Sequence, residues 1–486
     1  MPRPLALARR AVIATLALPA LHPARAAENP FSLGVASGDP EGDSVILWTR
    51  LLPAPARPVP VAWQVAADPA FRRILAEGQG LARPESGHAV QIEAGGLPAG
   101  RPLWYRFRAL GHDSPAGRTR IPAADAARIA FVNTGCQHYE HGFFTAWRHI
   151  AADEELDFVL FNGDYIYEYA GRPVGTRGSV RRHEGGECLT LEDYRARYAQ
   201  YRSDPDLQAA HAAHPFIVAF DDHEVENNWA GPHSETSGTA AADFAARKAA
   251  ALQAWSEHMP LRPAQRPAGA AIRAYRRFRL GRLATLHVLD TRSHRDDQPC
   301  GDRLQHPCAE LFRPDAEMLG AEQEAWLLAG AAAPGLHILA QQVFFCPRIF
   351  PDGRVSTDAW DGYPAARERL LSGLRARGVL HPVVLSGDVH RAFVAEIPGG
   401  GAEFVCTSIS SEGDGREADP AAPALLARNP HILFHHARRG WTRHEVSDDG
   451  FTAEYWALPF VSRPGAPAHR IARFATRPDR PGVARL

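Results

Sequence analysis

Four apolar runs each end abruptly in residues that can bind metal ions or move protons. The first run leads into Asn133-Thr-Gly-Cys136-Gln-His138, and the second into Gly163-Asp164-Tyr165-Ile166-Tyr167-Glu168. The third leads into Asp221-Asp222-His223-Glu224-Val-Glu-Asn227-Asn228-Trp229, and the fourth into Gly387-Asp388-Val389-His390-Arg391. Together they offer a thiol, a phenol, imidazoles, a carboxamide and several carboxylates. Asp388 and His390 stand two apart, which puts them on one side of an extended backbone.

The separations are long: Cys136 to Asp164, Asp164 to Asp222 and Asp222 to Asp388 each span tens of residues or more. A structural zinc finger takes its ligands from tight pairs, so this spacing excludes one. It suits a site that a whole fold assembles. Carboxylates and an amide oxygen favour hard cations, whereas thiolate, phenolate and imidazole favour a transition metal. The mixture points to more than one kind of ion, with Asp164 a natural bridge. Taken singly, each group has a plainer explanation: Gly-Asp is a common turn, and a lone cysteine is usually a buried thiol. Four such endings in one chain make that account inadequate.

The elements that must carry these groups are strands followed by helices. Residues 128–133, 157–162, 215–220, 336–340 and 382–386 read as buried strands, and 143–150, 191–203, 240–258, 321–331 and 365–377 as helices. Such alternation predicts an α/β or layered α+β body, in which ligands gather outside the carboxyl ends of strands. A hairpin through Gly281-Arg282 and a strand pair, 441–446 with 451–456, extend it. Before residue 124 the texture is all-β, with short runs at 44–50, 61–65, 89–93 and 104–108. They predict a small antiparallel sandwich similar to a fibronectin type III module. We therefore divide the chain into 1–27, 28–123 and a catalytic body over 128–470.

The 486 residues hold 54 Lys+Arg and 55 Asp+Glu, a net charge of -1, which argues against a protein that coats nucleic-acid phosphates. Arg9-Arg10 precede an apolar run of about ten residues and then Ala24-Arg25-Ala26, the pattern of an export signal. The run is too short to span a bilayer, which takes about twenty apolar residues. Paired arginines at that place also fit the twin-arginine export machinery. The expected location is periplasmic or extracellular. Cys300 and Cys308 could close a local disulfide there, while Cys346 and Cys406 sit in apolar runs as small hydrophobes.

Gly163-Asp-x-x-Tyr167, the Asp221-Asp-His-Glu block and Gly387-Asp-Val-His390 resemble the signature of calcineurin-like metallophosphoesterases. Within that group the chain is most similar to the PhoD-like alkaline phosphatase/phosphodiesterase family. Asp290-Thr-Arg292, Asp296-Asp-Gln-Pro-Cys-Gly301, Ala340-Gln-Gln-Val343 and Trp360-Asp-Gly-Tyr-Pro364 add to the likeness. The resemblance implies a β-sandwich flanked by helices, and an Fe3+ and Ca2+ site whose bound hydroxide or oxo group attacks phosphate esters. It implies iron on Cys136, Asp164, Tyr167 and His390, and calcium on Asp164, Asp222 and Asp388, with Asn228 a further ligand. Related phosphoesterases carry Asn where Asp222 stands.

In such a site His223 is the candidate for protonating the leaving alkoxide, or for orienting Asp222. Arg292 is a candidate phosphate fork, and Asp164 counts among the catalytic residues as the bridge. Three functions remain in contention: a monoesterase, a diesterase of phospholipase type, and a catalytically silent Ca2+-binding protein. A serine hydrolase is disfavoured, since no Gly-x-Ser-x-Gly elbow occurs.

Overall fold

The structure, a computed structural model, describes residues 29–477 and 479–486; the expected export signal at 1–27 lies outside them. Two large sheets face each other. In the first, three parallel strands, Arg128–Thr134, Phe158–Phe161 and Pro215–Val218, form the centre. In the second, Ala284–Val288, Leu336–Ala340, Val383–Ser386 and Ala402–Val405 run parallel to one another. The long strand Ile432–Ser447 belongs to both: its first half pairs with Ala392–Glu396 and its second half with Arg128–Thr134.

The apolar runs are continuous because both faces of each strand are covered. Successive side chains point to opposite faces, so Phe158 and Leu160 enter the core between the sheets, along with Phe131, Ile217, Ile338 and Leu385. Val159 and Phe161 turn outward to pack under the helices Thr145–Ala151, Leu191–Arg202 and Ala241–His258. Leu339 and Val384 do the same on the other side, beneath Ala321–Gly330 and Pro364–Arg375. The result is helix, sheet, sheet, helix: the layered architecture expected, a β-sandwich flanked by helices.

Three differences from the sequence reading have physical causes. The strand expected at 441–446 starts at Ile432, because Arg438-Arg439-Gly440 interrupt its apolar pattern at the point where it passes from one sheet to the other. The helix Pro205–Ala213 was not expected, although Asp204 caps it and Pro205 fills its first position, both recognisable start signals. The all-β region does form a two-sheet sandwich around Val45, Leu47, Val61, Val65, Tyr105 and Phe107. One of its sheets, however, is continuous with the catalytic body: Ser37 and Gly38 pair in parallel with Pro215 and Phe216. That union covers a strand edge that would otherwise be open to another chain. Gly38 permits it, since a Cβ there would lie 2.5 Å from the Phe216 carbonyl oxygen.

Register then decides where the loops emerge. Thr134 and Val218 both lie opposite Phe161, and Val405 opposite Ser386. Gly135 bridges in parallel to Ser408, which stitches the rims of the two sheets together. All four chemistry-bearing segments leave from this one rim.

Candidate metal centre

The first two loops are held to each other by backbone bonds: Cys136 N donates to Gly163 O and Gln137 N to Asp164 O, both at 3.0 Å. Glu224 ties in the third, its carboxylate accepting from the N–H groups of Asp164 at 3.1 Å, Tyr165 at 2.5 Å and Asp221 at 2.8 Å. Gly163 has φ of 125°, and a Cβ there would stand 2.5 Å from both Cβ and N of Asp221. Only glycine lets these loops approach so closely.

Side chains converge accordingly. Ligand atoms of Cys136, Asp164 and His390 lie within 4.8 Å of one another, as do those of Asp164, Asp222 and His223, and those of Asp221, Asp222 and Asp388. Asp164 is shared by the first two groups and Asp222 by the last two. The Tyr167 hydroxyl joins the first, donating to Asp164 Oδ2 at 2.8 Å and lying 3.2 Å from His390 Nε2. Asn228 reaches Asp222 through its backbone N–H, at 2.7 Å. The side chains of six of the seven ligands expected from the sequence are thus brought together, whereas Asn228 meets the cluster through its backbone and turns its carboxamide Nδ2 to Asp302.

Five of those seven, Cys136, Asp164, Asn228, Asp388 and His390, have φ between 53° and 65°. This left-handed region is uncommon for residues other than glycine, and such strain concentrates at functional sites. Four of the five, Cys136, Asp164, Asp388 and His390, bring their side chains into the donor groups.

Electrostatics make the cluster unstable by itself. Burial, with Asp164 and Asp388 nearby, pushes the Cys136 thiol well above its usual range. Burial followed by Asp164 and Cys136 does the same to the Tyr167 phenol. Asp164 and Asp388 are also driven well up, chiefly by burial, with Asp221 and Asp222 adding to it. Asp164 Oδ1 and Asp222 Oδ1 are buried without a hydrogen-bond partner among the described residues. A set of anionic donors this crowded and this dry fits cations. Soft and aromatic donors gather at the Cys136 end, and carboxylates alone at the Asp221 end.

His223 and Arg292 occupy different surroundings. His223 Nδ1 is 2.8 Å from Glu168 Oε2 and its other ring nitrogen makes no hydrogen bond among the described residues. Although burial opposes its charge, Asp222, Glu168 and Asp164 hold the imidazolium well above the ordinary histidine range. Arg292 is wholly buried beneath the carboxylates. Its Nε donates to Asp221, its Nη1 to Asp358 at 2.8 and 3.0 Å, and its Nη2 stands 3.7 Å from both Asp222 and Asp388.

Three comparisons bear on this arrangement. A family model described as PhoD-like phosphatase matches residues 131–455, and one for the N-terminal domain of the same phosphatases matches 16–123. The chain belongs to the PhoD-like phosphatase family. It is a phosphoric ester hydrolase, which sets aside the silent binding protein. Alkaline phosphatase D of Bacillus subtilis (strain 168) is 43% identical over 483 residues, 94% of this chain and 82% of that relative. A solved structure titled "Structure of PhoD" superposes with a TM-score of 0.91 at 42% identity, covering 95% of this chain and 92% of that one.

Several residues of this PhoD-like centre escaped the sequence reading. Asp221 completes the third carboxylate group, and its signal was its place beside Asp222. Glu168 holds His223, Asp358 shares Arg292, and Ser411 lies 2.7 Å from the Tyr167 hydroxyl. No local pattern marks Ser411, since only the fold brings it 244 residues back to Tyr167. Cys300 and Cys308 form the local disulfide, and its loop places Asp302 2.7 Å from the Asn228 Nδ2 that donates to it.

Proposed function

We propose that the chain is an exported phosphatase with iron held by Cys136, Asp164, Tyr167 and His390 and calcium held by Asp164, Asp222, Asp388 and Asn228. The observation that carries this reading is the sharing of Asp164 and Asp222 among three adjoining donor groups. Bound there, the ions would neutralise the phosphoryl oxygens and lower the pKa of water. Donor chemistry supports the division: thiol, phenol and imidazole at one end, carboxylates and an amide at the other.

The chain's own residues supply the rest. Cys136, Asp164 and Asp222 are almost fully buried, whereas the Asp388 and His390 side chains retain 25% and 18% of their surface. Substrate therefore enters over Asp388 and His390. His223, anchored by Glu168, presents its free ring nitrogen to the cluster and protonates the departing alkoxide. Arg292 serves as internal counter-charge to Asp221, Asp222, Asp358 and Asp388 rather than as a phosphate fork, because its side chain is wholly buried beneath them and its Nε and Nη1 are bonded to Asp221 and Asp358. Export is supported by the Arg9-Arg10 leader and by the disulfide, which persists in oxidising compartments. Among the described residues, no helix is long and apolar enough to cross a membrane.

The test combines elemental analysis with rates on 4-nitrophenyl phosphate and bis(4-nitrophenyl) phosphate, before and after chelation. Iron and calcium together, with hydrolysis lost on chelation and regained on their return, are expected. Hydrolysis that is indifferent to chelation overturns the reading.

A further inference from the structure

Asn228 is gripped on two sides by one short segment of chain. Its backbone N–H donates to Asp222 Oδ2 at 2.7 Å, which sets it against the donor groups. Its carbonyl accepts from Gln298 Nε2 at 2.6 Å, and its carboxamide Nδ2 donates to Asp302 Oδ2 at 2.7 Å. An ionised carboxylate accepts and cannot donate. Asp302 therefore takes the nitrogen end of the carboxamide and leaves Asn228 Oδ1 without a hydrogen bond among the described residues. That oxygen is the atom a hard cation takes.

The segment around Asp302 is held in a conformation it does not prefer. Cys300, Gly301 and Arg303 have φ of 62°, 81° and 80°, and two of the three carry side chains that disfavour this region. Thr357 Oγ1 steadies it by donating to Gly301 O at 2.8 Å and to Arg303 O at 2.9 Å. Leu304 and Gln305 pair with Ser356 and Val355 in a ladder only two residues long. A covalent constraint completes the set: the Cys300–Cys308 disulfide closes the chain around Asp302. Both cysteines are half-buried and stand among the exposed residues Gly301, Arg303, His306 and Pro307, so a thiol in solution can reach the bridge.

We propose that the Cys300–Cys308 disulfide is a redox-sensitive brace for Asn228, acting through Asp302, so that the centre reaches full calcium affinity only where the bridge is closed. The proposal rests on the reading of Asn228 as a calcium ligand and adds a control to it. A dithiol opens the bridge by exchange: it is oxidised to a disulfide, and Cys300 and Cys308 each gain one electron and one proton to become thiols. Residues 300–303 then relax toward negative φ, and Asp302 leaves the Asn228 carboxamide free to turn. Cys136, Asp164, Tyr167 and His390 lie outside the loop and keep their places. In a reducing compartment the calcium site is thus weakened, and oxidation completes it.

Calorimetric titration with calcium, on iron-loaded protein without reductant, compares the parent with the double variant Cys300→Ser/Cys308→Ser. The double variant is expected to bind calcium about tenfold more weakly, the loss typical when a residue that orients a metal ligand is released, with its iron content unchanged. Asp302→Ala should lose as much, and removing both cysteines from it should cost nothing further, since the bridge acts through Asp302. Parent affinity in either variant, or an equal further loss in the Asp302→Ala background, overturns the proposal. Should the double variant fail to fold, the folded parent is titrated before reduction, after dithiothreitol and desalting, and after reoxidation. A reversible fall in affinity supports the brace, and an unchanged affinity overturns it. If the parent takes up no calcium, the assignment of Asn228 fails separately, and amide exchange over residues 225–231 decides the brace. Faster exchange after reduction supports it, and equal exchange overturns it.

Discussion

Replacing Arg292 with methionine removes the positive charge beneath four carboxylates while nearly conserving volume. Asp358 keeps Arg295 at 2.6 Å and Gln298 at 3.0 Å, so Asp221 is the group left without its partner. Both members of the Arg292–Asp221 pair are almost inaccessible to solvent, with side-chain exposures of 0% and 2%, so screening gives no relief. Breaking one such buried pair costs about 3–5 kcal/mol. For a cooperative unit of roughly 350 residues, unfolding with about 2.1 cal/mol/K per residue, that lowers Tm by about 4–7 °C. The assay is differential scanning calorimetry of parent and Arg292→Met after chelation. Calcium added back to the variant should recover part of the loss, because a cation held by Asp222 and Asp388 returns positive charge beside Asp221. A variant that melts within about 1 °C of the parent, yet shows a raised KM for phosphate esters, would refute the counter-charge argument and restore Arg292 as a phosphate fork.

Asp302→Ala should weaken calcium binding about tenfold by calorimetric titration, since Asp302 fixes the Asn228 carboxamide, whereas Asp302→Asn can still accept that hydrogen bond. Unchanged affinity in Asp302→Ala would remove Asp302 from this role. Cys136→Ser should shift or bleach the visible band of the iron-loaded protein, and an identical spectrum would exclude Cys136 as a ligand. Burial holds His214 down to about 4 and both His287 and His444 to about 3, below the unfolded value of about 6.5. Their contribution to stability is therefore complete above pH 6.5 and is lost as pH falls toward 3, at about 1.4 kcal/mol per histidine per pH unit. Melting of the chelated protein should fall steeply between pH 6.5 and 4.5 and less so in His444→Phe; a flat profile would contradict this.

Much of the centre was legible because its ligands follow strands that are buried on both faces. Val159 and Leu160 enter opposite cores, so the run 158–161 is unbroken in apolar character and its polar end at Asn162-Gly163-Asp164 stands out. Arg292 could be found but not assigned, since its role depends on Asp221 and Asp358, which lie 71 and 66 residues away. The union of the N-terminal sandwich with the catalytic sheet was invisible for a related reason. Pairing of Ser37 with Pro215 leaves no periodicity in either segment.

Asp164 links the first donor group to the second, so its loss should dismantle the centre as a whole. Elemental analysis and 4-nitrophenyl phosphate turnover, measured on one preparation of Asp164→Ala, test this most directly. Iron and calcium are expected to fall together with activity to background. A variant that keeps both metals and hydrolyses the ester at the parent rate would contradict the account.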